Sequence, residues 1–391
     1  MKAVLLSVCG ALAAAAPLPL AAQSAVTGAF VIRLGSDTVS AERFTRTATR
    51  MEGEAVTRQP RTTLRRYVAE FGPDGRVQRV ELVQLRPDAP PGAPPIQRTV
   101  ATFSGDSVFV ETRRDTAVQN RRIAVGANVA PVFGGAAVSF ASYEVLAAGL
   151  RRVRGDSATF RVYLAGATAP GTWTARTLGR DSIRFYDGNN TFEARVDAEG
   201  RITGAVPRSG TQQFTVTRVA SLDVAALAAS FAARDQQGQS LGLLSVRDTV
   251  RATVAGATVW VDYGRPARRG RVIFGSTIVP WNQVWRTGAN AATQFRTDRA
   301  LGIGGVVLQP GTYTLWTIPS TTGWRLLINA QTGQWGTAYD PARDLYHLDM
   351  RVSTLPQSVE RLTISVVPDG EGGVLRLEWD TTRAEIPFTV R

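Results

Sequence analysis

From Glu360 to Val366 the apolar residues Leu362, Ile364 and Val366 alternate with Arg361, Thr363 and Ser365. A period of two cannot bury one stripe of a helix; it describes a strand with one dry and one wet face. Segments of this kind recur along most of the chain, and 37 glycines and 20 prolines supply turns between them. The fold class that follows is mainly β, built from antiparallel sheets, because hairpin connections need only short turns. At 391 residues the chain is too long for one hydrophobic core, and a hydrophobic fraction of 44% is ample for two. Two antiparallel β-rich domains are therefore expected, with one or two helices in the first.

The N-terminus has the pattern of a secretory signal. Lys2 supplies the positive end, Ala3 to Leu20 an apolar run interrupted by Pro17 and Pro19, and Leu20-Ala-Ala22 a small-residue cleavage site. Residues 1–22 are read as the signal, and the location as exported, periplasmic or secreted. The run is too short and broken for a retained anchor, and no transmembrane segment is expected after cleavage. Cys9 lies inside the signal and lacks the preceding small residue of a lipid-attachment site, so the mature chain has no thiol and no disulfide.

A formal charge of +13 invites a nucleic-acid reading. Lys2 is the single lysine, so every later basic residue is arginine, which is a compositional bias rather than a designed surface. The arginines are scattered over strand-patterned segments with no basic arm or recognition motif, and no nucleic-acid partner is expected.

Two halves differ in texture. In residues 24–235, Phe30–Leu34, Arg66–Phe71 and Val77–Val83 are strand-like, with Gly72-Pro-Asp-Gly75 as the hairpin turn between the last two. Asp197-Ala-Glu-Gly200 repeats that device between Phe192–Val196 and Arg201–Thr203, while Arg86 to Pro95 is too proline-rich for a central strand. Phe140, Tyr143, Leu146, Leu150 and Val153 have helical spacing, as do Val224, Leu227, Ala228 and Phe231 after Ser221, a candidate N-cap. Residues 236–247 read as a polar linker. From 248 to 391 the chain is tryptophan-rich, with strands expected at Ala255–Val261, Thr293–Thr297, Thr312–Ile318, Trp324–Asn329, Glu360–Val366 and Val374–Trp379. That spacing suggests a β-sandwich or a partly closed barrel.

Within this half stand Tyr263-Gly-Arg-Pro266, Arg269-Gly-Arg271 with Phe274-Gly275, Val284-Trp-Arg-Thr-Gly-Ala-Asn290 with Thr293, Pro310-Gly-Thr-Tyr313, Ile318-Pro319, Trp324 to Asn329, and Trp335-Gly336. In that order they resemble DUF2911, a bacterial family of unknown function, over residues of about 250–390. The resemblance implies an exported bacterial β-domain and no established activity. The first half has no family assignment, and its texture is similar to that of periplasmic lipoprotein carriers only as an analogy of fold.

The chemistry available is narrow. His347, the one histidine, lies in Asp344-Leu-Tyr-His-Leu-Asp349 with no nucleophile motif nearby, so a structural or surface role is expected. One histidine and no mature cysteine leave only carboxylates for zinc, so no metal site and no cofactor are expected. Leu301-Gly-Ile-Gly-Gly305 precedes Val306-Val-Leu308 rather than a helix, which makes it a turn between strands and not a phosphate loop. Asp340, Asp344, Asp349 and Glu360 are the acids from which a glycosidase pair would have to come.

The stretch VWRTGANAATQF is the better candidate. Trp285 and Phe295 enter and leave through strands, and Thr287-Gly-Ala-Asn290 makes the bend, with Gly288 and Asn290 both tolerant of positive φ. Its polar groups serve either the turn's own backbone or a ligand. On the second reading Arg265, Arg271, Trp285, Arg286, Asn290 and Thr293 form a binding site. Guanidinium forks beside an indole face suit a polar small molecule, a glycan or a peptide. The leading function is thus a non-catalytic binding module. The alternatives are a glycan- or ester-directed hydrolase using a carboxylate or hydroxyl of the same domain, and a structural envelope protein.

Overall fold

The computed structural model describes residues 25–90, 92–134, 139–188, 190–209 and 213–391. The expected signal, with Lys2, Cys9 and Leu20-Ala-Ala22, lies outside the described residues. Fifteen strands form the first sheet: β1 (Val26–Leu34), β2 (Asp37–Arg46), β3 (Arg50–Thr57), β4 (Thr63–Phe71), β5 (Val77–Leu85), β6 (Gln97–Ser104), β7 (Ser107–Arg114), β8 (Ala117–Ala124), β9 (Ala130–Val132), β10 (Ser157–Leu164), β11 (Gly171–Leu178), β12 (Ser182–Tyr186), β13 (Thr191–Val196), β14 (Ile202–Pro207) and β15 (Phe214–Arg218). Helices α1 (Phe140–Leu150) and α2 (Val224–Gln236) accompany them. The chain meanders outward from β1 to β8, passes directly to β9 at the far edge, crosses through α1 to β10 beside it, and meanders back until β15 pairs with β1. This helical crossover makes β9 and β10 a parallel pair.

Side-chain alternation decides what lies on each face. On β2, Phe44 points into the core that surrounds α1, and Ala41 points the other way, under Val224, Ala228 and Phe231 of α2. The core around Phe140, Tyr143 and Leu146 gathers Val80 and Val110 from one wing and Ile183, Phe192 and Ala205 from the other, so the sheet curls round α1. A row across four strands, Gly28, Phe44, Gly53 and Tyr67, shows how the curve is packed. A Cβ at Gly28 would strike the Phe44 ring and one at Gly53 the Tyr67 hydroxyl, so each glycine admits its neighbour's ring.

The second sheet contains β16 (Ser245–Val254), β17 (Ala257–Pro266), β18 (Thr293–Thr297), β19 (Leu301–Ile303), β20 (Val306–Leu308), β21 (Gly311–Pro319), β22 (Trp324–Asn329), β23 (Asp344–Asp369) and β24 (Gly372–Val390). Their order is β16-β17-β18-β21-β22-β23-β24-β19-β20. The β23–β24 hairpin bends where its register breaks between Thr354 and Thr363. Beyond the bend Arg361 bridges back to Ala267, and the Ile364 amide donates to the Tyr263 hydroxyl at 3.1 Å. The two arms enclose a core of Val259, Val261, Phe295, Leu326, Ile364, Leu377 and Ile386 without closing a barrel. The molecule is thus mainly β with two antiparallel sheets and two helices, as the alternation indicates.

Where the sheets meet, Leu241 of the segment expected as a polar linker is buried, while Gln236 to Ser240 before it are exposed. Leu241 joins the first core, and its carbonyl accepts from Arg269 Nη2 at 3.3 Å. The buried Arg269 also pairs with Asp37 at 2.6 Å, and its carbonyl accepts the Ser36 amide at 3.2 Å. Gly35, at φ +59°, lets this contact form, since a Cβ there would overlap the Arg269 carbonyl.

Candidate functional site

The VWRTGANAATQF loop lies across β17. Trp285 exchanges both backbone hydrogen bonds with Thr317 of β21, at 2.7 and 2.9 Å, and enters the core. There it stacks on Trp379 at 6.0 Å and 18° and meets Trp324 edge-on at 6.3 Å. The loop then turns at Thr287 (φ +53°) and Asn290 (φ +65°). Asn290 is therefore left-handed as expected; Gly288 is not, and Thr287 takes that role. Gly288 serves close approach instead, because a Cβ there would press on the Gly264 carbonyl, and one at Gly264 would overlap Ala289. Thr293, fully buried, donates to the Thr287 carbonyl at 2.8 Å and holds the loop from beneath.

The six expected ligand residues have different placements. Arg265 is committed to neighbouring strands: Nε to the Leu362 carbonyl at 3.1 Å, Nη2 to Thr363 Oγ1 at 3.0 Å, Nη1 to Asp248 at 3.2 Å. Arg271 donates to the carbonyls of Arg268 at 2.9 Å and Ala267 at 2.6 Å, beside the junction of the sheets. Burial and the nearby Arg269, against Glu360, lower its pKa to about 10. Arg286 and Asn290 are joined directly, Arg286 Nη1 donating to the Asn290 carbonyl at 3.3 Å. Trp285 and Thr293 support that pair from the core.

What the loop adds to this pair is a second chain segment. Ala291 bridges to Trp335, the Gly336 amide donates to the Asn290 carbonyl at 2.9 Å, and the Arg286 stem lies against Gly336. Arg286 is half-buried with no carboxylate in hydrogen-bonding or ion-pair contact among the described residues, and burial alone lowers its pKa. Trp335 is 56% exposed, whereas Trp285, Trp316, Trp324 and Trp379 are buried. The loop thus carries a half-buried guanidinium without a carboxylate, and the segment paired with it carries an exposed indole one residue before the glycine on which that side chain rests. In the sequence, Trp335-Gly336 belongs to the family resemblance and carries no local signal of a site role.

Farther along the same segment a polar cluster forms around the buried Asp344. Asn329 Nδ2 donates to it at 2.8 Å, the Tyr339 hydroxyl donates to it, and His347 Nε2 lies 2.8 Å away. Burial and this hydrogen bond push the Tyr339 phenol up, so it stays a neutral donor. Asp344 is the single side-chain partner of His347 among the described residues, and the Tyr339 hydroxyl donates to the same carboxylate oxygen. Of the other three acids, Asp340 adjoins this cluster, its carbonyl accepting from Asn329 Nδ2 at 2.8 Å while its carboxylate caps Pro341–Arg343; Asp349 is exposed beside Arg325, and Glu360 accepts the Arg269 amide at 2.8 Å.

A larger groove, about 860 Å³, lies on the first sheet between β1–β4 and the approach to α2. Its charges satisfy one another: Glu54 takes Arg43 at 2.6 Å and Arg66 at 3.5 Å, and Arg218 takes Glu144 at 2.7 Å. That leaves less for a charged ligand to complete than the Arg286 surface does.

Residues 245–388 match the family model described as a protein of unknown function, DUF2911, bearing out the resemblance over the C-terminal part; the N-terminal half has no family assignment. No curated protein matches the chain. Two solved structures are similar in part. One is a DUF1089 family protein from Pseudomonas aeruginosa, 12% identical, with 43% of this chain and 89% of that one covered at a TM-score of 0.31. The other is a β-barrel-like protein of domain of unknown function DUF1849 from Brucella abortus, 11% identical, with 50% and 94% covered at 0.32. Among the described residues no helix is long and apolar enough to cross a membrane.

Proposed function

We propose that the protein is an exported, non-catalytic binding module whose C-terminal domain takes a carboxylate-bearing polar ligand, a glycan or peptide end among them, at Arg286 and Trp335. The observation that carries this reading is the half-buried Arg286 guanidinium without a carboxylate, its stem packed on Gly336, which directly follows the exposed Trp335. A guanidinium stripped of part of its water gains most from a carboxylate that docks on its fork. An open indole offers a flat apolar platform to a sugar or peptide face. Binding is favoured over catalysis because nearby hydroxyls are already engaged, Thr287 with Thr317 at 3.3 Å and Thr293 with a carbonyl.

Titration with oligogalacturonates and with short peptides bearing a free C-terminus, followed by tryptophan emission, tests this. A saturable blue shift is expected, absent in Trp335→Phe and about tenfold weaker in Arg286→Ala. Arg286→Ala should change unfolding free energy by less than about 1 kcal/mol, since its one hydrogen bond is long and exposed. A folded Arg286→Ala protein that binds like the wild type would remove the proposal.

Hydrolysis is the second reading, favoured by the His347–Asp344 pair, which has the orientation of a base held by a carboxylate. It requires a nucleophile or water positioned on the free side of the ring, so ester or glycan turnover that disappears in His347→Gln would establish it. Export rests on the N-terminal pattern. The mature chain is expected to begin at Gln23 or Ser24, as sequencing of protein purified from its host would show; an intact Met1 on soluble cytoplasmic protein would reverse it.

A further inference from the structure

The wing of the first sheet ends at β8, which is hydrogen-bonded on one side only, to β7 from Ser107↔Ala124 to Arg114↔Ala117. Among the described residues its outer edge pairs with no strand, so a row of backbone donors and acceptors faces solvent. Such an edge is a template for an added strand unless side chains forbid it. The side chains here select by charge. Arg121 and Arg122 are consecutive and therefore project to opposite faces of the sheet.

Beneath the edge a groove of about 460 Å³ is lined by Val110, Thr112, Arg114, Gln119 and Arg121, with the Gly166-Ala167 turn opposite. Both guanidiniums in it rest on neutral amides: Arg114 Nε on Gln97 Oε1 at 2.6 Å, and Arg121 Nη2 on Gln119 Oε1 at 3.1 Å. On the other face Arg122 lies over the Phe109 ring at 5.4 Å and donates to Ser107 Oγ at 3.3 Å. No carboxylate of the described residues pairs with any of the three. Two strands inward the pattern is the reverse, for Arg79 and Arg98 share Glu81 at 2.5 and 2.7 Å. Excess arginine by itself would leave exposed cations anywhere. It does not explain why three uncompensated ones bracket both faces of the open edge, with Val118 and Phe109 half-exposed among them.

We propose that an extended acidic peptide adds to β8 as a further antiparallel or parallel strand, its carboxylates reaching Arg114 and Arg121 on one face and Arg122 on the other. The segment recognised carries adjacent acidic residues, because neighbours on a strand point to opposite faces, flanked by β-branched residues that cover Val118 and Phe109. This site is in the other domain from the Arg286 surface and does not depend on it.

The test uses the full chain and a fluorescein-labelled peptide of Glu-Glu pairs separated by valines, read by anisotropy. Saturable binding is expected, weakened about tenfold or more by Arg121→Glu with Arg122→Glu, both on an exposed strand where the thermal transition should be unchanged. N-methylation of alternate amides of the peptide should abolish binding, since it blocks ladder bonds and leaves every charge in place. Equal binding of the N-methylated peptide would overturn strand addition. So would equal binding of a single-stranded oligonucleotide or of phosphatidylglycerol vesicles, which would make the edge a general anion surface, and so would no saturable binding at all. Arg121→Gln with Arg122→Gln gives a milder control: a wild-type affinity there would also overturn the proposal.

Discussion

Replacing Trp379 by alanine is expected to destabilise the second sheet and its core by about 3–5 kcal/mol, the usual cost of deleting a buried indole. Trp379 is 2% exposed, stacks on Trp285, meets Phe274 edge-on at 6.1 Å, and donates from Nε1 to the Glu360 carbonyl at 3.3 Å. Those contacts join the returning arm of the β23–β24 hairpin to the loop that carries Arg286. Removing the ring leaves a cavity between the arms and frees the carbonyl near the hairpin's bend. Urea unfolding followed by emission would show the loss, because seven of the eight tryptophans lie in this half and Trp173 alone reports on the other. Trp379→Phe should recover part of the difference. A loss below about 1 kcal/mol for the alanine variant would mean that the arms are held by backbone pairing and not by this aromatic stack.

The parts of the fold that a local pattern determines were legible. Thr293–Thr297 and Trp324–Asn329 are strands to the residue, and the Gly304-Gly305 turn joins two short strands as the missing helix implies. Helix ends were less so. α2 is capped by Asp223, whose carboxylate accepts the Ala226 amide at 2.9 Å, rather than by Ser221, and α1 stops at Leu150, short of Val153. Ser221 and Asp223 are both good caps, so local chemistry alone does not choose between them. The site was legible as a loop and not as a set of contacts. Arg265 and Leu362 meet across 97 positions only because β23 bends, and Gly288 is needed for a crossing with Gly264 that no neighbour in sequence signals. Seven tryptophans in one half look alike in sequence; that Trp335 stays open depends on how residues 330–343 fold back over β21 and β22.

The stability of the first sheet and its core is expected to fall as pH rises from about 5 to 8, and Glu42→Gln should flatten that slope. Glu42 sits on β2 beneath the start of α1, where it accepts the Ser139 hydroxyl at 2.8 Å and the Ala141 amide at 2.9 Å. It thereby caps the helix, since Ser139 makes no side-chain cap of its own. Burial raises its pKa from 4.5 to about 7, overcoming the Ser139 hydroxyl and the amides at the helix end, while Glu144 raises it further. Between those values the folded protein holds a proton that the unfolded chain has released. The stabilisation from this group is therefore complete below about pH 4.5 and is lost as pH rises through about 7, some 3 kcal/mol in order of magnitude. Glu144, also raised by burial despite Arg218, acts in the same direction, and the buried Tyr67 stays neutral throughout. Glutamine keeps an acceptor for the helix amide without the charge, so at pH 8 the variant should equal or exceed the wild type. Glu42→Leu should lose stability at every pH, because it strands the Ala141 amide and the Ser139 hydroxyl in a dry core at about 1–3 kcal/mol each. Urea midpoints of the three proteins at pH 5 and pH 8, followed by far-ultraviolet dichroism, separate these outcomes. An unchanged slope in Glu42→Gln would place the proton elsewhere.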